Sequence, residues 1–188
     1  MNGQGSGRGF GATPWRVLVW GALAALLALP LVAMQFTREV QWTGFDFLVM
    51  GAMLGLVGAG YEAAVRLSGN IAYQVGFGLA VVGAFLLVWM NLAAGIIGSE
   101  DNSANLMFAG VLAVGAVGAL LGRLQARGMA RAMVAMAVVQ AGVAVVAVAL
   151  DLGAGEPGWP RNIIGLTAGF VGLWLVSAWL FWRTAKAA

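Results

Sequence analysis

Three features of this sequence predict an all-α membrane protein: a bundle of six transmembrane helices with short loops and both termini in the cytoplasm. Of its 188 residues, 62% are hydrophobic and only 9% are charged, against about a quarter charged in an ordinary soluble domain. The apolar residues gather into six long runs, and the charges sit almost wholly in the short connectors between them. Along those connectors the basic residues keep to one side of the membrane and the acids to the other. With so little charged surface, the solvent for most of the chain must be lipid.

Crossing a bilayer core takes about 20 apolar residues in a helix. The runs that serve are Trp15–Met34, Phe45–Val65, Ala72–Ile97, Leu106–Leu121, Ala130–Leu150 and Ile163–Trp182. Together they make a single transmembrane domain over residues 15–182. The leader, 1–14, is the glycine-rich stretch MNGQGSGRGFGATP, expected to be a flexible cytoplasmic tail. Its glycines do not form a phosphate loop, because no strand precedes them and no GK[ST] follows. Residues 183–188 form a short basic cytoplasmic tail. Basic residues before an apolar run are also the pattern of a signal peptide. Here the run is long, Pro30 interrupts it and no small-x-small cleavage site follows, so the first span is expected to be retained.

Orientation follows from charge. With the N-terminus inside, the cytoplasmic segments hold Arg8, Arg16, Arg66, Arg123, Arg127, Arg131, Arg183 and Lys186, leaving only Arg38 and Arg161 of the 10 basic residues outside. Every loop involved is short enough for the positive-inside rule to apply. Glu39, Asp46, Glu100, Asp101, Asp151 and Glu156 all fall outside. Trp15 and Trp182 at inner ends, with Trp42 and Trp159 at outer ends, match the aromatic belts of membrane interfaces. The sequence pI near 10.2 is therefore explained by topology, and no nucleic-acid partner is expected.

A shift of sixty residues superposes GLVGA (Gly55–Ala59) on GAVGA (Gly115–Ala119), and NLAAGIIG (Asn91–Gly98) on DLGAGEPG (Asp151–Gly158). Spans two and three would then repeat as spans four and five, in parallel orientation. Chance matching of segments rich in Gly, Ala and Val remains the alternative.

Chemistry is sparse. With 0 Cys and 0 His, the chain lacks thiol nucleophiles, thiolate metal sites and the commonest zinc ligand and general base. No cofactor, metal site or catalytic residue is expected. Apart from Asp46 at the outer end of span two, Glu62 is the only carboxylate placed inside a span, where an ionised side chain costs about 2.5–3.5 kcal/mol at the helix centre. It lies near the inner end with Arg66 four residues on, the favourable order for a local helix pair, and both can reach toward water. The competing role is a proton or cation relay. Gln140, near the middle of span five, calls for a hydrogen-bond partner on another helix, commonly worth about 0.6–2 kcal/mol. Asn91 and Gln74 are nearer helix ends and read similarly. Gly51-x3-Gly55, Gly118-x3-Gly122 and Gly165-x3-Gly169 permit close helix approach, with packing inside the bundle as the expected use. Arg123, Arg127 and Arg131 recur every four residues and form one basic stripe, explained by topology, with lipid headgroups or an acidic partner as alternatives.

The outer loop Gly98–Asn105, GSEDNSAN, sets Glu100 beside Asp101 and adds Asn102 and Asn105. Calcium loops alternate their ligands so that the chain wraps the ion. Adjacent carboxylates diverge, so this loop alone is not a metal site. Pooled with Glu39, Asp46, Asp151 and Glu156, Glu100, Asp101 and Asn102 are the candidates for an acidic outer surface that attracts cations. The local alternative is capping of span four by Asn102 or Ser103.

The segment VWMNLAAGIIGSEDNSANLMF (Val88–Phe108), with YEAAVRLSGNIAYQ (Tyr61–Gln74) and RGMARAM (Arg127–Met133), resembles a family of small bacterial multi-pass inner-membrane proteins with no assigned function. The resemblance implies a bacterial cytoplasmic membrane and brings no activity, cofactor or catalytic residue with it.

Three roles compete. The expected one is a non-enzymatic accessory or assembly subunit of a membrane complex, as a homo-oligomer or with other subunits, since buried ionisable residues are few and glycine contacts many. The second is a small transporter or channel for a cation or small solute, with an acidic outer vestibule and Glu62 or Gln140 along its path. An intramembrane enzyme is the least supported, because no two carboxylates face each other within the spans.

Overall fold

A computed structural model of the protein describes residues 14–187. The leader 1–13 with Arg8, the side chain of Trp15, and Ala188 lie outside the described structure. The described residues form six α-helices: α1 (Pro14–Phe36), α2 (Gly44–Leu67), α3 (Ile71–Ala93), α4 (Met107–Leu121), α5 (Ala126–Ala149) and α6 (Arg161–Ala187). A single 3-10 turn, Ser103–Leu106, leads into α4. All six helices, α4 together with its 3-10 turn, are long and apolar enough to cross a membrane.

Boundaries differ from expectation in three places. α3 stops at Ala93, short of Ile97, because Gly95 takes a positive φ of 68° and Gly98 one of 73°, values that glycine adopts without strain. α5 begins at Ala126, a turn before Ala130. α6 runs on through Ala187, so most of the expected basic tail is the last turn of a helix.

By contacts the chain divides into two compact units, Met1–Gly58 and Ala59–Ala188. In the N-terminal unit, α1 and the first part of α2 meet at glycines: a Cβ on Gly58 would lie 2.5 Å from the Trp20 ring, and one on Gly51 would lie 3.7 Å from Leu27. Thr43 and Asp46 cap the start of α2 reciprocally. The Asp46 carboxylate accepts from the Thr43 N–H (2.7 Å) and hydroxyl (2.8 Å), while the Asp46 N–H reaches back to the Thr43 hydroxyl at 3.4 Å, a capping box.

In the C-terminal unit, α5 packs between α4 and α6, and α6 packs on α3. Lipid is as apolar as leucine, so helix association here rests on close packing and hydrogen bonds more than on the hydrophobic effect. The seams show both. Trp174 is fully buried and lies where a Cβ on Gly83 would be (2.8 Å), so α6 seats its largest side chain in a glycine notch of α3. Two turns away the Ser177 hydroxyl donates to the Gly76 carbonyl at 2.8 Å. Between α4 and α5, Gly115 faces Met136, Gly118 faces Ala132 and Gly122 faces Gly128. Arg123 and Leu124 turn the chain with positive φ (49° and 56°), the Leu124 N–H closes on the Ala119 carbonyl at 3.0 Å, and the Tyr73 hydroxyl donates to the Leu124 carbonyl at 2.6 Å.

Tyr73 also meets the Phe181 ring at 5.1 Å. The start of α3, the α4–α5 turn and the C-terminal part of α6 therefore share one end of this unit. That end carries Arg66, Arg123, Arg127, Arg131, Arg183 and Lys186, with Glu62 its one acid. The opposite end carries Glu100, Asp101, Asp151 and Glu156, with Arg161 its one base. We call them the basic and acidic ends.

Candidate functional site

At the acidic end two loops are tied into one cap. The Asn105 side chain is buried and organises the first loop. Its carbonyl accepts from the N–H groups of Ile96 (3.0 Å) and Ile97 (2.9 Å), and its amide donates to the Ser99 carbonyl at 2.7 Å. It thereby satisfies the loop N–H groups that would have bonded back into α3 had the helix continued. Asn102 joins the loops. Its carbonyl caps the 3-10 turn by accepting from the Ala104 N–H (3.0 Å), and its amide donates to the Leu152 carbonyl at 2.7 Å. In the second loop Asp151, at φ 51°, accepts from the Trp159 indole N–H at 2.7 Å. The Trp159 ring lies against Gly153, where a Cβ would collide with it.

Among the acids expected to form an outer surface, Glu100, Asp101, Asp151 and Glu156 are exposed at this end, and Glu156 approaches Gly98 across the loops (3.2 Å from a Cβ built there). Asp46 and Glu39 belong to the N-terminal unit. Asp46 is taken up by its cap, and the backbone N–H of Glu39 donates to the Thr37 hydroxyl at 3.1 Å. Among the described residues no three carboxylates are grouped so as to hold a metal ion.

Beside the cap, a cleft of about 500 Å³ opens between α3 and α6. Its walls include Met90, Gly95, Trp159 and Leu166, and Glu156, Arg161 and Asn162 give it polar groups. Gly165 also lines it and begins a second feature. Gly165, Gly169 and Gly172 lie on the face of α6 opposite its buried stripe (Ile163, Phe170, Trp174, Phe181). All three are exposed, and a Cβ on any of them would meet nothing within 4 Å. Of the expected small-residue motifs, Gly118-x3-Gly122 packs inside the bundle. Gly51 has a close neighbour and Gly55 has none, while Gly165-x3-Gly169 has no internal use.

The intramembrane polar positions divide by surroundings. Glu62 pairs with Arg66 at 3.4 Å, one turn apart on α2, with Arg66 largely exposed. Asn91 donates to the Leu87 carbonyl at 2.7 Å, within its own helix, and its side-chain oxygen is buried without a partner. Gln74 likewise bonds locally, to the Ser68 carbonyl at 2.8 Å. Gln140 is fully buried, yet neither of its amide atoms has a hydrogen-bond partner, so the expected bond to another helix is not formed. The Thr167 hydroxyl and the Trp174 indole N–H are buried in the same condition, two turns apart on the inward face of α6.

Sequence reasoning gave no role to Asn105, Ser177 or Tyr73, and saw Trp159 only as an outer belt residue. Asn105 carried one usable signal: a buried amide close after two loop glycines is suited to close the turn they make. No family model, curated protein or solved structure matches this chain.

Proposed function

We propose that this protein is a non-enzymatic accessory or assembly subunit, docking another membrane protein along the outward face of α6. The observation that carries this is the open ridge Gly165, Gly169 and Gly172. Glycine in a helix interior costs about 0.5–1 kcal/mol relative to alanine, and nothing inside the bundle uses these three. What rewards glycines at this spacing is the close approach of another helix. The cleft at the acidic end begins at Gly165 and adds Arg161, Glu156 and Asn162 as polar contacts for a partner's loop. The partner is another membrane protein or a second copy of the chain.

The proposal includes an orientation and a setting: basic end and both termini in the cytoplasm of a bacterial inner membrane, following the positive-inside rule and the resemblance to small inner-membrane proteins. It also includes descent of α4–α5 from α2–α3 by duplication. What supports it is the sequence match at a shift of sixty, GLVGA on GAVGA and NLAAGIIG on DLGAGEPG.

The test is a photo-reactive residue at position 169 of the full chain, cross-linked in native membranes and purified in mild detergent. A stoichiometric membrane-protein adduct is expected, lost when Gly165 and Gly172 are replaced by leucine. Cross-linking to lipid alone would overturn the proposal.

A second reading, a small transporter or channel for a cation or small solute, is favoured by one observation: the unpartnered amide of Gln140 amid the packed core. The two are separated by flux. In the accessory role, Glu62→Gln changes stability by less than about 1 kcal/mol, as for other exposed or local helix pairs, and liposomes show no flux of ions or protons. Flux that depends on Glu62 or Gln140 would decide for transport.

A further inference from the structure

At the basic end, a groove of about 850 Å³ runs between α5 and α6. Arg127 and Arg131, one turn apart on α5, and Lys186 of α6 line it, and no carboxylate does. The only acid at this end, Glu62, stands beside Arg66. Away from the charges the walls turn apolar, with Val134 and Leu175 continuing the groove toward the middle of the helices. Both are exposed at its edge. Trp179 and Trp182 form its α6 side, with the Arg183 guanidinium 4.8 Å from the Trp179 ring and the Lys186 ammonium 3.8 Å from that of Trp182. The groove starts at the first turn of α5, where Gln125 at the cap makes no side-chain hydrogen bond, and a helix N-terminus favours an anion.

We infer that this groove is a binding site for an anionic phospholipid, its phosphate held by Arg127, Arg131 and Lys186 and an acyl chain laid against Val134 and Leu175. Charge complementarity selects the head: three cations without a protein counter-ion match a phosphate, and a lipid with two phosphates matches them better than one. The zwitterionic headgroup of phosphatidylethanolamine brings its own ammonium, which the same cations repel. Shape selects a lipid over a soluble anion, because the groove continues sideways into apolar wall where only a molecule already in the bilayer can follow. Basic pockets between transmembrane helices recognise cardiolipin in this manner. The site lies on a different face from the glycine ridge of α6 and does not depend on what docks there.

The test is native mass spectrometry of the delipidated full chain in neutral detergent, titrated separately with cardiolipin, phosphatidylglycerol and phosphatidylethanolamine. Cardiolipin is expected to bind at least about tenfold more tightly than phosphatidylethanolamine. Each of Arg127→Gln, Arg131→Gln and Lys186→Gln is expected to weaken it about fivefold, since each juxtamembrane base is worth about 1 kcal/mol. Arg38→Gln, in the N-terminal unit, leaves it unchanged. Val134→Trp fills the apolar slot with every charge intact, and it too is expected to remove cardiolipin. Equal binding of the three lipids, or full retention by the triple Gln variant, would overturn the inference. So would competition by inorganic phosphate or an acidic peptide as effective as cardiolipin itself.

Discussion

Gln140 sits fully buried in α5 with both amide atoms unpartnered, which sets a destabilising term against the packing around it. A buried polar group left without a hydrogen bond costs about 1–3 kcal/mol. Gln140→Leu, close in volume and without that penalty, is expected to raise stability by about 1–3 kcal/mol, measured by denaturant unfolding in detergent. A fall instead would mean that the amide is satisfied in the membrane, by water or by cargo. Asn105 is the opposite case, a buried amide with partners at both its oxygen and its nitrogen. Asn105→Ala leaves the N–H groups of Ile96 and Ile97 without their acceptor. A loss of about 2–6 kcal/mol is expected, by adding the penalties for those two groups. Hydrogen exchange should localise it, with fast exchange at Ile96 and Ile97 and unchanged protection in α5. Composition marks both residues as polar among apolar neighbours. Only the folded chain separates the amide that builds a loop from the one that strains a core.

At the scale of elements, two glycine sets of similar appearance have opposite uses. Gly76 and Gly83 of α3 make the notch that admits Ser177 and Trp174 of α6, whereas Gly165 and Gly169 of α6 face outward with open space around them. Gly83→Leu would force its side chain onto Leu173 and Trp174, already 2.5 and 2.8 Å from a bare Cβ. Overpacking of this kind is expected to cost about 1–3 kcal/mol or more. Gly169→Leu is expected to leave the isolated protein as stable as the parent or more so, because the helix gains a better former at no steric cost. A thermal melt of the two variants side by side checks the contrast. The six spans were legible from run length, since a bilayer sets a minimum for each. The stop of α3 at Ala93 was not. Apolar residues continue through Ile96 and Ile97, and what ends the helix is the positive φ of Gly95 together with Asn105, which lies in the following turn.

At the scale of the whole molecule, the segregation of charge between the two ends of the C-terminal unit is the feature from which orientation is argued. The chain has 0 Cys, so single cysteines report without background. Glu100→Cys, at the acidic end, should react with a membrane-impermeant thiol reagent in intact cells. Gln125→Cys, at the basic end, should react only after permeabilisation. Reversal of the two would invert the proposed topology and place the lipid groove in the other leaflet. Which acids come together could not be reached from sequence. Four of them depend on Asn102 tying the α3–α4 loop to the carbonyl of Leu152, a contact between residues 50 apart.

The sequence by itself determined the solvent of this protein, the number of its spans and the separation of its charges into connectors. Those properties are set one segment at a time, by length and hydropathy against a bilayer of fixed thickness. The tertiary structure decided everything that needs two segments: which glycines pack and which stay open, which amides are satisfied, and the meeting of Arg127, Arg131 and Lys186 on one groove. In a chain so uniformly apolar, periodicity hardly distinguishes a face toward lipid from a face toward another helix. Only the packed helices assign those faces.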